Sequence, residues 1–436
     1  MLRKIRIAAA AFFFVLTTLL FLDFTGTLHA WFGWMAKIQF LPALLALNVG
    51  VVAFLVILTL LFGRVYCSVI CPLGVMQDIV SWASGKRRKH RNRFAYSPAL
   101  TWLRRGMLVV FVAAMLAGVG SLLAPYSAYG RIASNLLAPV YAWGNNLLAY
   151  IAGRMDSYAF YSVDVWMKSL STLLVAVVTF AVLFVLAWRS GRTYCNTICP
   201  VGTVLGFLAR YSLFKPRFDT SKCNGCKLCA RNCKASCIDP AAHKIDYSRC
   251  VACMDCLENC RQGAITYTLR RRKPDPAPAP QRPAADAAKT PSDASRRRFL
   301  GLAGIVAYSA LRAQEKKVDG GLAVIVDKKI PNRATPVVPP GAQSLRLFNA
   351  HCTGCQLCVS VCPNQVLRPS GKLMTLMQPE MSFERGYCRP ECTKCAEVCP
   401  TGAIRLTDLA GKSSIQIGHA VWIAENCVVN TDGVSC

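Results

Sequence analysis

Apolar runs separated by basic stretches fill the first half of the chain. Residues 7–24, 41–62, 107–124 and 170–188 are almost unbroken sequences of Ala, Leu, Val, Ile and Phe. A helix needs about 20 such residues to cross the hydrocarbon of a bilayer, so four transmembrane helices are predicted. The first run follows Arg3, Lys4 and Arg6 and has no small-residue cleavage site after it. It therefore reads as a retained helix that starts in the cytoplasm. The basic run at 86–93 holds the loop between the second and third spans in the cytoplasm, because loops rich in Lys and Arg stay inside. Alternation then places 125–168 on the far side, with Tyr126, Tyr129, Tyr141, Trp143 and Trp166 as interface anchors. The amphipathic stretch 131–154, interrupted by Pro139, is expected to lie along the membrane surface.

Beyond residue 215 the long periodicity stops and cysteines take over. The chain has 436 residues and 23 cysteines, most of them in four-Cys runs. Such spacing implies bound metal rather than a disulfide scaffold. Cys223, Cys226, Cys229 and Cys233 read C-x2-C-x2-C-x3-C, and Cys250, Cys253, Cys256 and Cys260 repeat it. Four thiolates so spaced suit a 4Fe-4S cube, with the fourth Cys of each run serving the other cluster. Cluster one then takes Cys223, Cys226, Cys229 and Cys260; cluster two takes Cys250, Cys253, Cys256 and Cys233. Structural zinc is the alternative, but its ligands usually come as separated pairs. Lys234 and Arg261 stand where such runs usually have Pro, and as cations beside the clusters they are expected to raise the reduction potential. The extra Cys237 reads as a small packed hydrophobe rather than a ligand.

Residues 352–399 repeat the arrangement. Cys352, Cys355, Cys358 and Cys362 form a full half; Cys388, Cys392, Cys395 and Cys399 form another, loosened by one residue. Partner exchange gives cluster three Cys352, Cys355, Cys358 and Cys399, and cluster four Cys388, Cys392, Cys395 and Cys362. His351 reads as a loop residue. Cys427 and Cys436, near the end of the chain, look like the start of another cluster motif, with free thiols or a disulfide as the alternatives.

A further repeat ends two of the predicted helices. Arg64-Val65-Tyr66-Cys67 leads to Cys71-Pro72, and Arg192-Thr193-Tyr194-Cys195 leads to Cys199-Pro200. Two related helix pairs are implied. Pro72 and Pro200 suit the first position of a new helix. A helix N-terminus lowers a thiol's pKa, so Cys67, Cys71, Cys195 and Cys199 are candidates for a redox or ligand role. The alternative is that Cys-Pro only breaks the chain at the membrane surface.

Between the cysteine sets, 274–292 is rich in Pro, Ala and Asp and reads as a linker. Ser295-Arg296-Arg297-Arg298-Phe299-Leu300 and the short apolar run after it match a twin-arginine export signal in mid-chain. A basic linker with a buried helix is the alternative. Net charge is +29 and mean hydropathy is positive. The basic residues flank apolar spans and no recognition module accompanies them, which argues for membrane lipid and against nucleic acid as a partner.

On these cysteine motifs, residues 1–270 resemble NapH-type membrane ferredoxins. Residues 295–436 resemble NapG/MauM-type exported ferredoxins, with NosR- and CcoG-like polyferredoxins as wider relatives. The resemblance implies a quinol dehydrogenase: quinol as donor, the quinone pool as partner, at least four 4Fe-4S clusters, and a periplasmic or membrane-bound cytochrome or reductase as acceptor, as in nitrate or nitrous-oxide respiration. It also implies that a stretch like 418–436 continues into two more Cys, so that the natural chain is longer and carries a further cluster. Fusion of the two parts in one chain is a departure. The expected fold is membrane all-α, about four helices, with two appended α+β bacterial-ferredoxin-like modules. Its expected parts are a transmembrane module (1–215), a cytoplasmic ferredoxin (216–270), a linker (271–294), a signal or anchor (295–315) and a periplasmic polyferredoxin (340–436), in a bacterial inner membrane. Asp23, His29 and Asp78 are candidate proton acceptors, although each type is often merely interfacial. The rival function is maturation or maintenance of a metalloenzyme such as a terminal oxidase, with the C-x3-C-P thiols as reactive groups.

Overall fold

The structure, a computed structural model, describes residues 1–87, 93–118, 122–157, 159–269, 335–384 and 386–418, and 422, 424, 428–431 and 433 beyond them. The linker, the twin-arginine segment, Cys427 and Cys436 lie outside the described residues.

Helix α1 (Leu2–Leu22) keeps most of its apolar surface exposed, Phe12 and Val15 among it. Two short turns follow, α2 (Thr27–Phe32) and α3 (Trp34–Lys37). The second predicted span is broken into α4 (Phe40–Leu45) and α5 (Val49–Phe62). Leu47 at φ 52 ends the first piece, and the Asn48 side chain accepts from Val51 N–H to start the second. Next come α6 (Val65–Val69) and α7 (Pro72–Gly85). Helix α8 (Thr101–Leu116) starts before the third apolar run, taking in Arg104 and Arg105, and stops short of its end.

Helix α9 (Pro125–Ile132) buries all eight of its residues. Phe14 and Phe21 of α1 pack on Tyr129 and Tyr126, so these tyrosines belong to the core and are not interface anchors. A π-helical turn, Ala133–Leu137, leads into α10 (Ala138–Arg154), which buries none of its residues. Pro139 sits in the first turn of α10, where its missing N–H is no loss, and so begins that helix rather than interrupting it.

Helix α11 (Leu170–Ser190) precedes α12 (Thr193–Thr197) and α13 (Pro200–Ala209), the second copy of the α6–α7 arrangement. Among the described residues, α1 and α11 are the two helices long and apolar enough to cross a membrane, at 21 residues each. At 1.5 Å per residue each is about 31 Å long.

The first ferredoxin segment carries β1 (Phe214–Phe218), α14 (Leu228–Arg231), β2 (Ile238–Asp239), β3 (Lys244–Ile245), α15 (Asp255–Asn259) and β4 (Ile265–Leu269). Strand β1 pairs antiparallel with β4, and β2 with β3. The second carries α16 (Leu345–His351), α17 (Leu357–Ser360), β5 (Leu367–Pro369), β6 (Pro379–Met381) and α18 (Lys394–Glu397), with β5 antiparallel to β6.

The two segments cap opposite ends of the same helices. Arg3, at the start of α1, pairs with Asp255 at 2.9 Å and with Glu258 of the first segment. Just past the far end of α1, Lys394 donates to the Thr25 carbonyl at 3.0 Å. The broken second span runs from Leu45, whose carbonyl meets His351 Nδ1 at 3.2 Å, to Phe62, whose carbonyl accepts from Tyr267 at 3.0 Å. Helix α8 runs from Arg104, bonded to Ser248, to Gly118, whose carbonyl accepts from Gln378. Before α11, Lys168 donates to Val359 O; after it, Arg192 N–H donates to Lys234 O.

Candidate iron–sulfur centres

Three of the four ferredoxin halves turn in the same way. Lys227, Met254 and Gln356, each next to the second Cys of its run, take left-handed φ values of 58, 61 and 65. Each caps the short helix that presents the third Cys. In the loosened half the corresponding Thr393 has φ −109. The extra residue between Cys388 and Cys392 makes the reversal there without a left-handed residue.

The thiols gather across the runs. Cys229 lies near Cys223, Cys226 and Cys260, and Cys256 near Cys253, Cys250 and Cys233. Cys358 lies near Cys355, Cys352 and Cys399, with Cys395 of the other set also within electrostatic reach; Cys395 lies near Cys388, Cys392 and Cys362. One cavity is lined by Cys233, Cys250, Cys253 and Cys256 with Ile238, Ile245 and Val251, and another by Cys362, Cys388, Cys392 and Cys395 with Val366, Leu367 and Met381. Each group offers four thiolates, a donor set that fits a 4Fe-4S cube, whose ligands are cysteine thiolates. Burial pushes the Cys229 thiol up to about 11 and the Cys355 and Cys395 thiols up to about 12, so metal binding must displace their protons.

Two further side chains stand beside the thiols. Cys237 is fully buried, but its Sγ lies 3.5 Å from Cys233 Sγ, and it also faces Cys250. It therefore packs against two thiols of one set rather than merely filling the core. Lys234 does lie near Cys253, but it is paired with Asp255 at 3.0 Å and Asp78 at 3.6 Å, which offset its charge. Arg261 is exposed.

Cys67, Cys71, Cys195 and Cys199 converge in the core between the two repeats, all buried. Cys71 lies near Cys67 and Cys195, and Cys199 near Cys195, Cys71 and Cys67. Cys71 and Cys199 are the N-cap residues of α7 and α13, with Pro72 and Pro200 next. Both thus stand at helix starts, as the pattern implies, but inside the core rather than at an exposed surface.

Two fully buried arginines cross over to clamp the repeats together. Arg64 Nη2 donates to Cys195 O at 3.1 Å, and Arg192 Nη1 donates to Cys67 O at 2.7 Å. They stand 3.8 Å from Cys67 Sγ and 3.9 Å from Cys195 Sγ. Gly74 and Gly202 occupy matching places: a Cβ at Gly74 would run into Cys67 O and Arg192, and one at Gly202 into Cys195 O and Arg64. The sequence pattern R-x-Y-C-x3-C-P-x-G contains this clamp, but only the fold shows that each arginine serves the other copy.

Of the candidate proton acceptors, Asp78 is taken up by Arg192, Arg6 and Lys234. Burial alone would raise its carboxyl, but these cations hold it well below the usual carboxylate range. Asp23 accepts from the backbone N–H groups of Thr25, Gly26, Leu28 and His29, and meets His29 Nδ1 at 3.1 Å. His29 Nε2 is buried and finds no hydrogen-bond partner among the described residues.

Known families match at the two C-x3-C-P segments and at the second ferredoxin segment. A 4Fe-4S binding domain matches residues 44–90 and again 172–221, and a 4Fe-4S dicluster domain matches 351–403. An uncharacterised protein of Methanocaldococcus jannaschii is 25% identical over 49% of this chain and 68% of its own length. The methylamine utilization ferredoxin-type protein MauM of Methylophilus methylotrophus is 32% identical over 26% of this chain and 50% of its own. The ferredoxin-type protein NapH of Escherichia coli is 29% identical over 44% and 55%. The chain thus spans about half the length of MauM and NapH. No solved structure matches it. With cysteines grouped in this way, the matched 4Fe-4S domains support an iron–sulfur protein, and the chain is similar to ferredoxin-type proteins of the NapH and MauM kind.

Proposed function

We propose that this protein is a multi-pass membrane electron carrier that takes electrons from quinol and delivers them to an acceptor on the periplasmic side, as in nitrate- or nitrous-oxide-type respiration. The observation that carries this reading is the capping of four helical segments at opposite ends by two four-thiol-pair modules. Arg3 meets one module and Thr25 the other, with α1 between them. Apolar surface on α1 and α11 faces outward, which suits lipid. Helices α5 and α8 are short for spans alone, but each belongs to a segment that runs from one module to the other. The basic run at 86–93 puts the first module in the cytoplasm.

Each module holds two 4Fe-4S clusters on the thiol sets above. When bound, a cube accepts or releases one electron at a time, so two electrons from quinol leave in single steps. His29 is the proton acceptor we favour, since Asp23 orients its Nδ1 side and the buried Nε2 has no hydrogen-bond partner among the described residues. The maturation reading loses its main support, because the C-x3-C-P thiols are too buried to meet a partner.

The test is sidedness together with turnover. Thiol labels or protease should reach 340–436 from outside intact spheroplasts, and Arg296→Lys with Arg297→Lys should trap that segment inside. A quinol analogue should sustain reduction of an external acceptor. A tail confined to the inside in both forms, with no steady turnover, would return the function to a maturation factor.

A further inference from the structure

We propose that Cys67, Cys71, Cys195 and Cys199 together hold a fifth iron–sulfur cluster, built jointly by the two repeats, that passes single electrons between the inner and outer ferredoxin modules. This rests on the reading that both modules hold clusters and lie on opposite faces of the membrane.

The donor set comes first. Four buried thiols with no other ligand type suit zinc or iron–sulfur, and the family match decides between them. The 4Fe-4S binding family matches both C-x3-C-P segments, and its second match ends at 221, before Cys223. That match therefore belongs to these thiols and not to the ferredoxin runs.

The surroundings are those of a buried anionic centre. Four thiolates on an oxidised cube leave a net charge of about −2, which a low-dielectric core tolerates only with countercharge. Arg64 and Arg192 are fully buried and stand beside Cys67 and Cys195. Gln77 Nε2 donates to Cys195 Sγ at 3.3 Å, and Gly202 N–H donates to Cys199 Sγ at 3.4 Å. Hydrogen bonds to ligand sulfur are a main control on a cluster's potential.

Position makes the quartet a relay. On the inner side, Arg64 bonds Ser248 O at 3.2 Å and faces Cys250, a thiol of the second set. On the outer side, Tyr194 faces Cys199, Cys195, Cys71 and Arg131, and Arg131 faces both Tyr194 and Cys355. Gly130 brings α9 directly onto the Cys355 carbonyl, an approach any Cβ would block. The quartet thus lies between Cys250 and Cys355, with Arg64 on the inner side and Tyr194 and Arg131 on the outer. Loaded with a cluster, the four thiols would accept one electron from a reduced inner cluster and give it up to an oxidised outer one. No bond forms or breaks and no proton moves.

The full chain, purified without oxygen, is compared with Cys67→Ser/Cys195→Ser for iron, acid-labile sulfide, zinc and EPR. The double variant should lose about four irons and four sulfides per chain and keep the ferredoxin signals. In inside-out vesicles, a membrane-impermeant reductant should then fail to reduce the outer clusters, while a permeant one still does. Gln77→Leu keeps all four thiols and serves if the double variant does not fold. It should move the midpoint of one signal to lower potential and leave the others in place. Unchanged iron in the double variant, zinc in place of iron, or no shifted signal in Gln77→Leu would overturn the proposal. Iron in the wild-type chain too low for four clusters would instead refute the ferredoxin reading on which it rests.

Discussion

Replacing Asp78 by Asn isolates the ionic joint at the inner end of the helices. Asp78 Oδ1 accepts from Arg192 Nε at 2.9 Å, and Oδ2 accepts from Arg6 Nη1 at 2.9 Å and stands in ion-pair contact with Arg192 Nη2 at 2.8 Å. After the change Arg6 keeps only a 3.5 Å contact to Ser68 O, and Lys234 keeps Asp255. Arg192, fully buried, keeps the Cys67 carbonyl but loses its two-pronged carboxylate. Breaking one side of such a buried pair costs about 3–5 kcal/mol, and Arg192 carries most of it. The assay is a denaturant titration in detergent, with Asp219→Asn, whose partner Lys222 is exposed, as a control expected to change nothing. Because the folded-state carboxyl is depressed, the contribution of Asp78 is fully present above the ordinary Asp value of about 3.9. It fades as pH falls below that value towards the folded-state pKa. The gap between wild type and variant should therefore be flat from about pH 8 to 5 and close below about pH 4. A gap under about 1 kcal/mol at neutral pH, the level of an exposed pair, would refute the view that Asp78 ties α1, α7 and the second repeat together.

The remaining expectations concern the clusters and the quinol site. Cys226→Ser should abolish one inner cluster's EPR signal and spare the outer pair; an unchanged spectrum would break the ligand assignment. Cys237→Ala should leave iron content intact and lower the potential of the cluster that uses Cys233 and Cys250, since it removes an S–H neighbour of both; lost iron would make Cys237 a ligand instead. His29→Gln should slow quinol-driven cluster reduction by about 10²-fold or more while dithionite still reduces every cluster at the wild-type rate, and equal quinol rates would exclude His29 as the proton acceptor. Gly202→Ala forces a Cβ against Cys195 O and Arg64 and should destabilise the chain by about 1–3 kcal/mol or more, read as a shifted denaturation midpoint.

The cysteine spacing made the ferredoxin halves legible, because a cube demands its ligands at fixed intervals whatever else the chain does. Hydropathy was a weaker guide. It reports composition over a window, and it treats 41–62 as one span although Leu47 and Asn48 divide it. It also reads 125–132 as interfacial, since tyrosine, serine and arginine dominate there. In the fold this segment is wholly buried, because Phe14 and Phe21 cover its tyrosines and Gly130 lets it lie against the second module.

What pattern alone does not show is pairing across the repeats. Arg64 and Arg192 stand at equivalent places and read as the basic flank of a membrane helix, a role that needs only solvent and lipid headgroups. Their burial reverses that reading. A guanidinium cannot sit unexposed in a core without acceptors, and here each finds one on the opposite copy, Cys195 O for Arg64 and Cys67 O for Arg192. The same exchange that satisfies the two cations fixes the two Cys-Pro turns against each other. One copy alone would leave a buried arginine short of its acceptor and only two thiols at the site. The duplication is thus a requirement of the quartet, and Arg64→Lys is the variant that separates the two. Lysine keeps the charge but lacks the planar fork that reaches Cys195 O, Asn196 Oδ1 and Ser248 O together. It should loosen the join between repeats and first module, measured as faster proteolysis after β1, while a variant as protease-resistant as the wild type would show that charge alone holds the site.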